Sequence, residues 1–152
     1  MDLVIIDSGG ANLGSVCYAL ERLGVQAEVS ADAERIQQAE KLILPGVGAA
    51  GDAMRRLQQH NLVDLIPQLT QPVLGICLGL QLMYSHSEED DTECLGIFPG
   101  VVRHFPRQAN LRVPHMGWNQ LAFNQPSNTQ VCIGTKQDDD AWAYFVHSYY
   151  AP

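Results

Sequence analysis

Four short apolar runs, Leu3–Ile6, Val25–Val29, Lys41–Leu44 and Pro72–Ile76, alternate with stretches of helical periodicity, and this alternation restricts the chain more than any other feature. Strands separated by helices pair in parallel, so the pattern predicts an α/β fold with a mainly parallel central sheet. Leu3 to Ile6 is apolar at every position, as expected of a strand covered on both faces. Asp7-Ser8-Gly9-Gly10 then turns into a segment where Leu13, Val16, Cys17, Leu20 and Leu23 recur at helical spacing until Gly24. Further helices are expected over about Ala50–Gln59 and directly after Cys77, the latter with Leu78, Leu82 and Met83 on its apolar face. A short apolar piece, Leu62–Ile66, lies between them, and Pro45-Gly46 is expected to break the third strand. Beyond Gly96 the texture changes. Val101–Phe105, Trp118–Phe123, Thr129–Ile133 and Ala143–Val146 read as strands, a β-rich C-terminal portion with no further helix.

A length of 152 residues suits a single domain, residues 1–152. Seventeen acidic against nine basic residues leave a net charge of −8, the wrong sign for a nucleic-acid binder. No apolar run approaches the roughly 18 residues of a membrane span, and the apolar start is too short for a signal-peptide core, so a cytoplasmic location is expected. Cys17, Cys77, Cys94 and Cys132 form no CxxC pair, which points to thiols and to no metal site. The acidic run Ser87-Glu88-Glu89-Asp90-Asp91 is expected to be a solvated turn.

Two glycine-rich segments could carry chemistry. Gly46-Val47-Gly48-Ala49-Ala50-Gly51 fits G-x-G-x-x-G between a strand and a helix, but the next strand ends in Gly75-Ile76-Cys77 without the acid that would hold a ribose. Asp64 has about the right separation but lies away from a strand end. Dinucleotide binding is the weaker use of this loop. A better one is an oxyanion loop, whose small residues let backbone N–H groups face a developing negative charge. Gly75-Ile76-Cys77-Leu78-Gly79 is the cysteine form of a nucleophile elbow, which exposes the nucleophile at the carboxyl edge of the sheet. The following helix N-terminus would favour the thiolate, and the Leu78 N–H would serve the oxyanion. The alternative is a small buried hydrophobe at position 77.

Pro45-Gly46-Val47-Gly48 followed by Gly75-Ile76-Cys77-Leu78-Gly79-Leu80-Gln81 resembles the class I, triad-type glutamine amidotransferases. Asn12-Leu13 with Ser15, Pro114-His115-Met116-Gly117-Trp118-Asn119 and Tyr144-Phe145-Val146-His147-Ser148-Tyr149-Tyr150 narrow the resemblance to the glutaminase subunits of imidazole glycerol phosphate synthase. The likeness runs in order along essentially the whole chain. It implies a three-layer fold, a glutamine substrate, no cofactor, and a heterodimer with a cyclase subunit that uses the released ammonia. Cys77 is the implied nucleophile, attacking the glutamine side-chain carbonyl to form a thioester. Gly46, Val47, Gly48 and Leu78 are the implied oxyanion positions. Gly48, Leu78, Gln81, Ser148 and Tyr149 are the implied glutamine contacts, and Asn12, Met116, Trp118 and Asn119 the implied cyclase face. Met and Trp are otherwise ordinary core residues.

The chain departs from the family pattern twice. Ser8 and Ala11 stand where the family has an aromatic residue and a glycine, which bears on the shape of the first loop. The family's His-Pro-Glu segment, which completes the triad, follows the His-Ser-Tyr strand, and none of His60, His86, His104, His115 and His147 precedes Pro-Glu. His147 aligns with a non-triad histidine. The resemblance therefore implies an incomplete C-terminus and a chain that is inactive by itself, or a non-hydrolysing scaffolding partner of the cyclase.

Overall fold

The computed structural model describes residues 1–9, 12–107, 112–121 and 141–151. They fall into two compact units, one of residues 1–104 with the end of the chain from Tyr149, the other of residues 105–148. The expected strand Thr129–Ile133, Cys132 and Ala11 lie outside the described residues.

The first unit opens with the alternation the sequence predicts. Strand β1 (Leu3–Ile6) leads to helix α1 (Leu13–Arg22), strand β2 (Glu28–Ser30), helix α2 (Ala33–Gln38) and strand β3 (Lys41–Gly46). Helix α3 (Ala50–Gln59), strand β4 (Val73–Cys77) and helix α4 (Leu78–Leu82) follow. The four strands form a parallel sheet in the order β2-β1-β3-β4. Alternate residues of each strand point to opposite faces. Val4, Ile6, Leu42 and Leu44 pack with Ile36 of α2, Leu57 of α3 and Leu82 of α4. Leu3, Ile5 and Ile43 meet Leu13, Val16, Cys17 and Leu20 of α1 on the other face. Helices thus cover both faces of the sheet, which is why β1 is apolar at every position and β3 is apolar after its exposed first residue, Lys41.

The boundaries differ from expectation at particular places. The second strand is only Glu28–Ser30, because Val25 and Ala27 pack under α1 as a connection. Helix α2, absent from the sequence reading, is short and buries only Ile36; it starts where Asp32 accepts from the Arg35 backbone N–H at 2.7 Å. Strand β3 continues through Pro45 to Gly46 instead of breaking there, pairing Pro45 with Ile76 and Gly46 with Cys77. Pro45 costs no ladder bond, since β1 pairs with β3 only as far as Ile5↔Ile43.

After α4 the chain builds a second, mixed sheet in the order β10-β7-β5-β6 from β5 (Tyr84–Ser87), β6 (Thr92–Glu93), β7 (Phe98–His104) and β10 (Tyr149–Tyr150), with β8 and β9 lying in the other unit. The acidic run is not simply a solvated turn. Ser87 is buried, its hydroxyl accepts from the Glu89 N–H at 3.2 Å, and the Glu89 carboxylate accepts from Ala50 N–H at 2.9 Å. The second unit contains an antiparallel pair, β8 (His115–Gln120) and β9 (Trp142–His147), with Trp118 opposite Tyr144. Strand β8 begins three residues before the expected Trp118, and β9 contains the expected Ala143–Val146.

Candidate functional site

Cys77 is the last residue of β4 and the N-cap of α4, with φ 55° and ψ −117°. A non-glycine residue at positive φ is uncommon and costs on the order of 1–3 kcal/mol, so the surrounding packing must hold it. The glycines of the elbow explain how. A Cβ on Gly75 would lie 2.7 Å from Leu80 Cα, one on Gly46 would lie 2.8 Å from the Gly79 nitrogen, and one on Gly79 would overlap the Leu44 carbonyl. Helix α4 therefore rests directly on the backbone ends of β3 and β4, an approach no larger residue allows. The thiol emerges exposed from this crossing, as the elbow spacing predicts. Leu78, the first residue of α4, has an N–H without an intrahelical acceptor.

Gly46 faces Cys77 across the β3–β4 ladder. The chain then leaves the sheet through Val47 and Gly48, whose φ of 91° suits glycine and whose missing side chain leaves open space. A cavity of about 220 Å³ lies at this end of the sheet, bordered by Cys77, Gly46, Val47, Ser8, Asn12 and Ser15 among others. The structure thus brings three sequence-predicted residues, Cys77, Gly46 and Val47, to one space. It adds Asn12, which sequence reasoning assigned to a partner face. Asn12 has φ 98° and its side-chain oxygen accepts from the Ser15 hydroxyl.

Two further predicted residues meet nearby in the chain's first unit: the Gln81 side-chain amide donates to the Tyr149 carbonyl at 3.1 Å. The Tyr149 ring packs edge-on against His104, centroids 5.0 Å apart. Burial, then the carboxylates of Glu89, Asp90 and Glu88, push the Tyr149 phenol above its usual range. Ser148 belongs to the other unit, where its carbonyl accepts from Phe105 N–H at 3.0 Å.

The dinucleotide reading of Gly46–Gly51 meets a physical obstacle. A pyrophosphate would need the N-terminus of α3, and the Glu89 carboxylate already caps Ala50 there. Asp90 stands beside Gly51, with its Cβ 3.7 Å from where a Cβ on that glycine would be. Two carboxylates at this point repel a phosphate.

In the second unit, Met116 and Trp118 are 60% and 65% exposed, not core. Tyr144 and Val146, directly opposite on β9, continue the same face at 55% and 51%, and Trp118 meets Tyr144 edge-on at 5.5 Å. Asn119 lies on the opposite face of β8, its amide 2.7 Å from the His115 ring. The alternation Tyr144-x-Val146 could have revealed the stripe from sequence. His147 packs edge-on against Phe105 and His115 at 5.0 and 5.6 Å. Among the described residues, no helix is long and apolar enough to cross a membrane.

The glutamine amidotransferase class-I family profile matches residues 4–152. The imidazole glycerol phosphate synthase subunit HisH of Xanthomonas campestris pv. campestris is 55% identical over 151 residues, covering 99% of this chain and 74% of that protein. The subunit HisH of Xylella fastidiosa (strain Temecula1) is 48% identical over the same shares. A crystal structure of a glutamine amidotransferase superposes with a TM-score of 0.63 at 18% identity, covering 78% of this chain. This chain spans 63% of the length of that structure.

Proposed function

Because this chain belongs to the class-I glutamine amidotransferase family, and within it to the HisH subunits of imidazole glycerol phosphate synthase, we propose that it is a glutaminase subunit whose nucleophile is Cys77. In this reading residues 1–152 form one amidotransferase domain. The observation that carries it is the Cys77 elbow, with φ 55° and Gly46 paired across the ladder.

The Cys77 thiolate adds to the side-chain carbonyl carbon of glutamine, and the carbonyl oxygen becomes an oxyanion. Backbone N–H groups of Gly46, Val47, Gly48 and Leu78 are the donors assigned to that oxygen. Collapse breaks the C–N bond, the leaving nitrogen takes a proton and departs as ammonia, and water then hydrolyses the thioester to glutamate and thiol. Gly48, Leu78, Gln81, Ser148 and Tyr149 are assigned to the glutamine backbone groups. None of the five histidines is assigned as the base; His86 is engaged by Asp91 and His115 by Asn119.

The ammonia passes to a cytoplasmic cyclase partner, which makes imidazole glycerol phosphate and a carboxamide ribotide. Met116 and Trp118 supply the apolar part of the partner surface and Asn12 a polar contact, whereas Asn119, assigned to the same surface by the resemblance, lies on the opposite face of β8 with His115. No metal or organic cofactor has a role in these steps.

The test is labelling with a chloroketone analogue of glutamine, followed by peptide mass mapping. The label is expected on Cys77, competed by glutamine and lost in Cys77→Ser. Labelling elsewhere, or dinucleotide affinity that survives Cys77→Ser in a chain that takes no label, would overturn the reading.

A further inference from the structure

We propose that the cavity on the α1 side of Cys77 is the compartment for the amide nitrogen of glutamine, and that its spare volume admits side-chain amides bearing a small alkyl group on that nitrogen. The inference rests on the glutaminase reading, since it assigns one end of that substrate.

The sheet decides which side is which. Ile43 pairs with Leu74 and Pro45 with Ile76, so Leu74 and Ile76 share the face on which α1 covers Ile5 and Ile43. Leu44 pairs with Gly75 on the opposite face, where a Cβ on Gly75 would strike Leu80 of α4. Cys77 ends β4 between the two faces. The cavity has Leu13 and Val16 of α1 and Ile76 in its wall, and so belongs to the α1 face. Gln81, bonded to the Tyr149 carbonyl at 3.1 Å, belongs to α4 on the other. A glutamine whose α-amino and carboxylate groups are held at Gln81 and Tyr149 therefore crosses the sheet end at Cys77 and carries its amide on toward α1.

The polar groups of the wall suit a nitrogen. The Ser8 hydroxyl donates to the Pro45 carbonyl at 2.9 Å, and the Ser15 hydroxyl donates to the Asn12 side-chain oxygen. With their single protons committed, both hydroxyls offer only lone pairs. Amide N–H groups are donors and match them; a carbonyl oxygen is not and does not. Asn12, exposed and assigned to the partner surface, borders the same cavity, so the nitrogen stands on the side from which the cyclase receives it.

The size exceeds what ammonia needs. Ammonia is close to water in size, and a water takes roughly 30 Å³ in the liquid, against about 220 Å³ here. Leu13, Val16 and Ile76 give the surplus an apolar surface, which favours hydrocarbon.

The test is protection of Cys77 in the full chain against iodoacetamide, read by peptide mass mapping at increasing glutamine or glutamine ethylated on its side-chain nitrogen. The ethyl amide should half-protect at no more than about threefold the concentration of glutamine, because apolar carbon gains on leaving water. Ser15→Phe, at an exposed position on the cavity border, should raise that concentration about tenfold or more for the ethyl amide and less than about threefold for glutamine.

Protection by glutamine with none from the ethyl amide would overturn the inference alone. So would Ser15→Phe if it changed neither ligand or weakened both equally. Should Ser15→Phe fail to fold, Ser15→Leu, a good helix former, must show the same selective loss, and equal protection by both ligands there overturns the inference. A wild-type chain that neither ligand protects removes the glutaminase reading together with it.

Discussion

Replacing Gly79 by alanine puts a methyl group where the Leu44 carbonyl oxygen already stands. The new Cβ would also lie 2.7 Å from the Leu44 carbonyl carbon and 3.1 Å from that of Pro45. All three atoms are backbone of β3, which is paired with β4 from Leu42 to Gly46. None can swing aside as a side-chain tip could, so α4 must lift from the sheet end, separating buried Leu78 and Leu82 from their neighbours. Overpacking costs typically 1–3 kcal/mol and more where backbone must move, so a loss of about 3 kcal/mol is expected. Gly51→Ala is the matched control. Gly51 lies inside α3, and its added Cβ would come no nearer to a neighbour than 3.4 Å, at the Thr92 hydroxyl oxygen, with Asp90 at 3.7 Å. Both substitutions reduce the entropy of the unfolded chain by the same amount, worth about 0.4–1 kcal/mol, so their difference isolates the steric term. With a urea slope of about 2 kcal/mol/M, the Gly79→Ala midpoint should fall by roughly 1.5 M. The Gly51→Ala midpoint should hold or rise. Equal midpoints, followed by circular dichroism, would refute the claim that the elbow glycines exist for the close approach of α4.

Trp118→Ala should leave the folding midpoint within about 0.5 kcal/mol of wild type, because the ring is 65% exposed. The same change should weaken binding to the cyclase about tenfold or more, as measured by calorimetry; unaltered affinity would remove this strand face from the partner surface. Cys94 gives a pH prediction. Its thiol is pushed up to about 11, first by burial and second by Glu89, against an ordinary 9.0. The folded state thus prefers the neutral thiol, so its contribution is complete below pH 9 and is lost as pH rises toward 11. Urea midpoints taken across that window should fall more steeply for wild type than for Cys94→Ala, and parallel curves would contradict the assignment.

Much of the first unit was legible because its signals are local. The run Leu3–Ile6, the helical spacing from Leu13 to Leu20 and the glycines around Cys77 each lie within one short window of sequence, and each appears as β1, α1 and the elbow. Helix α2 is not legible in the sequence because six residues with one buried side chain carry little periodicity; only Asp32, capping Arg35, marks its start. Charge predicts exposure on average, which is the ground for expecting the acidic run to face solvent. It says nothing about Glu89, which leaves that average to cap a helix begun 39 residues earlier.

What the sequence determined by itself is the chemistry on offer: a cysteine at a strand-to-helix turn, glycines that let backbone approach it, and an alternation that commits the chain to a parallel sheet. These depend on residue size, φ preference and periodicity, which neighbours along the chain settle among themselves. Tertiary structure alone decided which distant groups meet. Ser8 reaches Pro45 across 37 positions, Glu89 reaches Ala50 across 39, and Gln81 reaches Tyr149 across 68. Each bond joins chain segments that only the completed sheets bring within 3.1 Å, and a hydrogen bond exists only at that range.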